Sequence, residues 1–409
     1  MSRFKKIILI ALLLILALFI GYAIYKMVTG PSIISPIYQP TSPTGTAGGL
    51  TPAGPRGTTG TVGTETGVGT LPTAGTLPTP GSAFFTPTPV TQLTTDYTAY
   101  PSINSNNAIR YYNSSNGKFY IINPDGTVTE LSDQTFYNVN KITWAKTANK
   151  AVLEYADSSK VIYNFDSAKQ VTLPKHWEDF SFSPDSTQLA AKSIGVSPDN
   201  RWLAVINDDG TGARAIEDLG ANQDKVNIDW SPSRQVVAFS RTGEALGGDR
   251  QQILMIGLNR ENFKGLTVEG RGFESTWSPD GKKLLYSVWN GASNFEPELW
   301  VVNSYGDDIN SNRKMVKVNT WSNKCAFADN NTIFCAVPRS LPEGAGLEPS
   351  INTSPDDLYK IDLNTGTKIP ISMGDKDYTV DSMFYDKEKN RLMFTDKFST
   401  GVFETNLNQ

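Results

Sequence analysis

Few side chains in this 409-residue chain have types and spacings that do covalent or metal chemistry. There is one histidine, His176, and there are two cysteines, Cys325 and Cys335. That set excludes zinc sites built from the usual four Cys/His ligands. It also leaves a single imidazole for any Ser-His-Asp arrangement, and no G-x-S-x-G nucleophile elbow occurs. His176 stands beside Trp177 without a nucleophile motif and reads as a surface or packed residue. Asn207-Asp208-Asp209-Gly210 gathers carboxylates but lacks the spacing of a calcium loop, so it reads as a turn. No catalytic residue, metal or cofactor is assigned.

What remains is recognition chemistry. Trp289, Asn290, Asn294, Phe295 and Glu296 set aromatic and polar groups side by side, a combination that stacks on a sugar or grips a peptide. Arg241, Asp249 and Arg250, and Arg339, Glu343 and Glu348, supply charges for a charged partner. The plain alternatives are packed aromatics and solvated loop charges. Net charge is −4 and no Lys/Arg cluster appears past residue 6, which sets nucleic acid aside as a partner.

These residues sit between repeats, and the repeats decide the fold. The clearest copies are DWSPSRQVVAFS (Asp229 to Ser240), TWSPDGKKLLYS (Thr276 to Ser287) and FSFSPDSTQLAAK (Phe180 to Lys192). Each reads as strand, tight turn, strand, with Pro setting φ and Asp and Gly suiting the last turn positions. Weaker copies start near Pro101, Ile142, Cys325 and Ser382. Alignment puts Ile103, Trp144, Phe182, Trp230, Trp277, Phe327 and Phe384 at one equivalent position, expected to lie in the core. The spacing, roughly 40 to 57 residues, is near that of four-stranded propeller blades with insertions. A second hairpin follows each of the first six copies. The seventh, GVFETNLNQ, reaches Asn406 without a fourth strand. Val90 to Thr94 resembles the outer strands of the other repeats and is expected to fill that place, closing a ring of seven blades.

The W-S-P-D-G-x-x-L-x-Y/F hairpin followed by φ-x-V-x-N-x-D-G-T resembles the TolB-like, Trp-Asp-repeat-like β-propellers over Pro89 to Gln409. The resemblance implies the fold; by analogy it implies a role in envelope assembly. Ala145-Lys146 and Ala328-Asp329 depart from its Ser-Pro.

Ahead of the propeller, Ile7 to Tyr25 carries no charge and would be roughly 28 Å long as a helix at ~1.5 Å per residue, about a bilayer core. Arg3, Lys5 and Lys6 precede it, which places the N-terminus in the cytoplasm. The run is longer than a signal-peptide core and its exit is a poor cleavage site, so an uncleaved anchor is favoured. From Thr41 to Pro89 about two-thirds of the residues are Thr, Gly or Pro, too few of them large and apolar to form a core. The segment reads as a disordered stalk, sugar-decorated or bare. The expected organisation is a cytoplasmic stub (1–6), one transmembrane helix (7–25), a linker (26–88) and an all-β, seven-bladed propeller (89–409).

In a propeller blade the A–B and C–D turns share one face and the B–C and D–A connections the other. The long segments are mainly B–C: Ser193 to Arg201, Arg241 to Gln251, Trp289 to Glu298 and Val337 to Asp356. The stalk arrives at the tight-turn face, so the long-loop face is expected to point away from the membrane. Cys325 and Cys335 fall on adjacent strands of one hairpin. A loop over Asp329 to Asn331 sets them opposite for a disulfide, and a one-residue register change leaves free thiols. The expected function is non-enzymatic binding or scaffolding outside the cell membrane, with an envelope protein, peptide or glycan as partner. The alternative is a hydrolase, lyase or glycosidase with a carboxylate-based site in the central channel.

Overall fold

A computed structural model of the chain describes residues 90–407 apart from 248 and 262. The stub, membrane helix and linker expected over 1–88 lie outside the described residues, among which no helix is long and apolar enough to cross a membrane.

The tight turns show why these repeats become hairpins. In Ser278-Pro279-Asp280-Gly281 the Ser278 hydroxyl donates to Asp280 (2.8 Å) and accepts from the Lys283 amide (2.9 Å). Gly281 closes the turn on the Ser278 carbonyl at 2.8 Å, with φ at +68°. Ser183 and Ser231 make the same contact to the amides of Gln188 and Val236. There the left-handed position falls to Ser186 and Arg234, which costs about 1 kcal/mol relative to glycine.

The hairpins assemble into seven four-stranded antiparallel sheets. Their first strands are Thr98–Ile103, Val139–Trp144, Trp177–Phe182, Val226–Ile228, Arg271–Trp277, Cys325–Phe327 and Val380–Asp386. First strands touch between blades 1 and 2, 2 and 3, 3 and 4, 6 and 7, and 7 and 1, which places them on the inner ring. The seventh sheet takes its outer strand from Val90–Thr94, which pairs with Val402–Asn406 and sets Gln92 opposite Phe403. The Gln92 side chain adds a bond to the Thr400 carbonyl at 2.9 Å. The ring is therefore closed as the repeats predict.

The core lies in the wedges between blades. Phe239 and Ile253 of the fourth blade pack on Phe273, Trp277 and Tyr286 of the fifth. Tyr111 and Ile122 of the first pack on Met393 and Val402 of the seventh, across the closure. Of the aligned repeat residues, Phe182, Trp230 and Trp277 are buried as expected. Ile103, Trp144, Phe327 and Phe384 are only half-buried, which corrects the expectation that all seven are core. Trp144 shows what replaces full burial: its indole donates to the Tyr100 carbonyl at 2.8 Å and the Arg110 guanidinium lies over its ring. Cys325 lies directly opposite Cys335 in the sixth blade, and their sulfurs are bonded.

Candidate functional site: the long-loop face

The four long B–C segments occupy one end of the ring, bounded by strands that end at Ile194, Ser240, Trp289 and Pro338. The structure joins three of them into a clasped rim. Asp249 accepts from the Gly291 amide at 3.1 Å, tying the fourth-blade loop to the fifth. Asn290 caps the short turn over Gly291–Ser293 and donates to the Glu269 carbonyl at 2.9 Å. The carbonyls of Asn294 and Phe295 accept from Gly344 (3.0 Å) and Gly346 (2.7 Å), tying the fifth-blade loop to the sixth. A Cβ on Gly346 would lie 2.7 Å from both the Phe295 oxygen and the Trp289 Cβ, so only glycine permits this approach. Trp289 and Phe295 meet edge to face at 5.9 Å.

The charged residues singled out from sequence are drawn into the same rim. Arg339 bonds Asp357 (2.8 Å) and Asp377 (2.7 Å), Arg241 bonds the Asp224 carbonyl (2.7 Å), and Glu296 accepts from Asn319 (2.8 Å). Arg250 lies 4.0 Å from Glu269, and Glu348 accepts from Ser350. Glu343 is exposed and makes no hydrogen bond or ion pair among the described residues. The groups offered as free contacts are mostly engaged with neighbouring loops. His176 is exposed.

Inside the rim the structure adds residues that spacing alone does not reveal. Five inner strands carry register shifts near their loop-face ends, skipping Tyr100-Pro101, Asn140, Asp179, Gly272-Phe273 and Asp381. Such bulges re-aim a side chain out of the ladder. Asp179 bonds Lys192 (2.6 Å) and Lys141 (3.1 Å). Burial pushes its carboxyl up, but the two lysines outweigh burial and hold it below the usual range. Asp381 makes no hydrogen bond or ion pair among the described residues. The Glu274 carboxyl, on the fifth inner strand, is pushed up by burial.

Asp381 joins two clefts. One, of about 260 Å³, runs over Glu274, Asn323, Ser350 and Asn352; the other, of about 440 Å³, runs over Tyr97, Thr395 and Phe398. Asp381 and Lys397 line both. The floor is held by a buried pair, Lys324 to Asp356 at 2.7 Å, with Asp356 also accepting from the Val380 amide at 2.7 Å. Burial raises that carboxyl and lowers that ammonium. Lys397 donates to the carbonyls of Ser350 (2.9 Å) and Asn352 (2.7 Å).

The opposite, tight-turn face uses its carboxylates in its own turns. Asp125, Asp209 and Asp329 accept from the amides of Thr127, Thr211 and Asn331 at 2.9, 2.9 and 2.7 Å, so Asn207-Asp-Asp-Gly is the turn its sequence predicts. Cations then latch blade to blade. Lys150 pairs with Asp208, Arg234 with Asp185, and Arg391 reaches the Pro124 carbonyl at 2.9 Å. At this end of the channel Lys146 donates to the Trp230 carbonyl at 2.9 Å, two blades away. Burial pushes the nearby Asp229 carboxyl up to about 6, with Lys146 pulling the other way. Among the described residues no group of three or more His, Cys, Asp or Glu is placed to hold a metal ion.

No protein-family model matches the chain, and no curated protein matches it in sequence. Solved structures do. The β-propeller domain of Cps50 (Swd1) from Myceliophteria thermophila superposes with a TM-score of 0.53 at 10% identity, covering 78% of this chain and all (100%) of that one. An oligogalacturonate lyase in complex with manganese gives 0.53 at 12% identity, over 78% of this chain and 93% of that one. TolB from Acinetobacter baumannii gives 0.43 at 14% identity over 66% and 64%, too low a score to add to the sequence resemblance. At these identities the likeness establishes architecture alone: the described chain is a seven-bladed β-propeller.

Proposed function

We propose that this protein is a non-enzymatic binding module, held outside the cell membrane by residues 7–25 and the linker 26–88, that receives a protein partner on its long-loop face. The observation carrying this reading is the pair of clefts joined at Asp381 and Lys397, flanked by the exposed rings of Tyr97 and Phe398. A broad recess with aromatic anchors on a rigid ring is what a partner needs. Val90, paired with Thr405, begins its strand at the tight-turn face, opposite the clefts. The test is a photo-crosslinking residue placed in membranes at fully exposed Val196 on the loop face or at exposed Tyr305 on the turn face. Crosslinked partner is expected at Val196. Products at Tyr305 alone would overturn the reading.

A second reading, an enzyme, draws on Glu154. Burial raises its carboxyl against the pull of Lys141 and Lys160, Asp179 and Glu178 add to the rise, and one of its oxygens is buried without a partner. A raised carboxyl beside others suits a proton donor. In that case Glu154→Gln abolishes turnover of an oligosaccharide and leaves crosslinking at Val196 intact.

A further inference from the structure

The clefts around Asp381 have a charge imbalance that selects among partners. Four carboxylates, Glu274, Asp356, Asp381 and Asp396, meet two ammoniums, Lys324 and Lys397. Lys324 is paired with Asp356 and also feels the Asp381 charge, and Lys397 is held by two carbonyl oxygens with its ammonium 5.8 Å from the centre of the Phe398 ring. Asp396 accepts from the amides of Thr379 (2.6 Å) and Phe398 (3.2 Å). Glu274 and Asp381 are left with no hydrogen bond or ion pair among the described residues. The recess is therefore net negative, and its two unpaired charges lie on inner strands of the fifth and seventh blades.

Two further observations say that something completes this recess. Tyr97 and Phe398 line or flank the larger cleft and are 61% and 62% exposed, unlike the buried rings of the blade wedges. Thr395 lines the same cleft, is only 6% exposed, and its buried hydroxyl has no partner. Buried hydroxyls are normally satisfied. An unpaired carboxylate, Asp381, that shares a cleft with two exposed rings fits a long cation. The carboxylate takes the charge, and the exposed rings take its methylene stem. A neutral sugar would use the rings and leave both charges unanswered.

Resting on the binding reading above, we propose that the joined clefts of blades 5, 6, 7 and 1 receive an extended peptide segment bearing lysine or arginine. One cationic side chain is seated against Asp381, between Tyr97 and Phe398, and a second against Glu274.

The full chain, purified in detergent, tests this by fluorescence anisotropy. The probes are a labelled Gly/Ser peptide carrying spaced lysines, the same peptide with glutamine in place of each lysine, and a neutral oligosaccharide as competitor. The lysine peptide is expected to bind saturably. The double variant Asp381→Asn/Glu274→Gln should weaken it about tenfold, since two partly exposed ion pairs are lost. Phe398→Ala should weaken it several-fold. The charge-matched control Asp307→Asn/Asp308→Asn, on the exposed turn face, should leave it unchanged. Equal binding of the glutamine peptide, displacement by the oligosaccharide, or loss in the control as large as in the cleft variant would each overturn the proposal. If the lysine peptide fails to bind while crosslinking at Val196 persists, this inference falls and the binding reading stands. If both fail, both fall.

Discussion

The two faces of this propeller dispose of their charges in opposite ways. On the tight-turn side nearly every carboxylate described above closes its own turn or meets a cation of the next blade, as Asp185 meets Arg234 and Asp208 meets Lys150. On the long-loop side the rim is equally well tied, through Asp249, Asn290 and Arg339. Within that rim, however, Asp381 and Glu274 are left unpaired and Tyr97 and Phe398 face water. The contrast teaches that the same repeat can be used twice. Short turns with Asp two residues before an amide consume polar groups and stiffen the ring. Inner-strand bulges at the other end release side chains from the ladder. Stability and recognition are thereby separated onto opposite ends of one channel.

Substitutions that erase this separation sharpen it. The largest effects belong to the turn side and the wedges. Arg391 and Asp386 form a buried pair at 2.9 Å, so Arg391→Ala leaves an uncompensated buried carboxylate. It is expected to cost about 3–5 kcal/mol in chemical denaturation. Trp230→Ala, at a fully enclosed ring, should cost a similar 3–5 kcal/mol, roughly, through the cavity it leaves. Next comes the Cys325–Cys335 bond. Replacing both with serine should lower stability by about 2–3 kcal/mol, and thiol titration of the unreduced, denatured protein should find no free thiol.

A smaller effect is expected from pH, and on the turn side it comes from Asp229. Asp229 has a folded-state value near 6, above the ordinary 3.8. Its protonated form is favoured by folding, so its contribution is complete below about pH 4 and is lost as pH rises through 6. Asp229→Asn should flatten that loss, by on the order of 1–2 kcal/mol at pH 7. The smallest stability effect is predicted at the recess. Asp381→Asn should stay within about 0.5 kcal/mol of the parent, while changing what the loop face binds. A large destabilisation there would mean that the loop face too is structural.

Much of this architecture was legible in the residues. Ser-Pro-Asp-Gly turns and alternating apolar residues give the hairpins. The missing strand after Asn406 and the strand-like Val90–Thr94 predict each other, and the pairing of Gln92 with Phe403 follows. The four long loops were legible because their boundaries are lengths. The recess was not. Asp381 sits within an ordinary strand sequence, and the bulge that turns it out depends on pairing with Thr395 and Asp396. The groups that do stand out in sequence, such as Arg339 and Asn290, attract attention by type, but tertiary contacts between loops decide whether they are free. The half-burial of Trp144 has the same origin: repeat alignment gives equivalence of position, while the neighbouring blade sets the depth.

Both faces exist only if the ring is closed, so the most direct test reads the closure itself. Residue-resolved hydrogen exchange on the full chain should find the amides that pair Val90–Thr94 with Val402–Asn406 protected to a degree comparable with Arg391–Asp396 in the same sheet. Exchange of these amides at the rate of an exposed edge, with Arg391–Asp396 still protected, would contradict a ring locked by its first strand, and with it the assignment of the two faces.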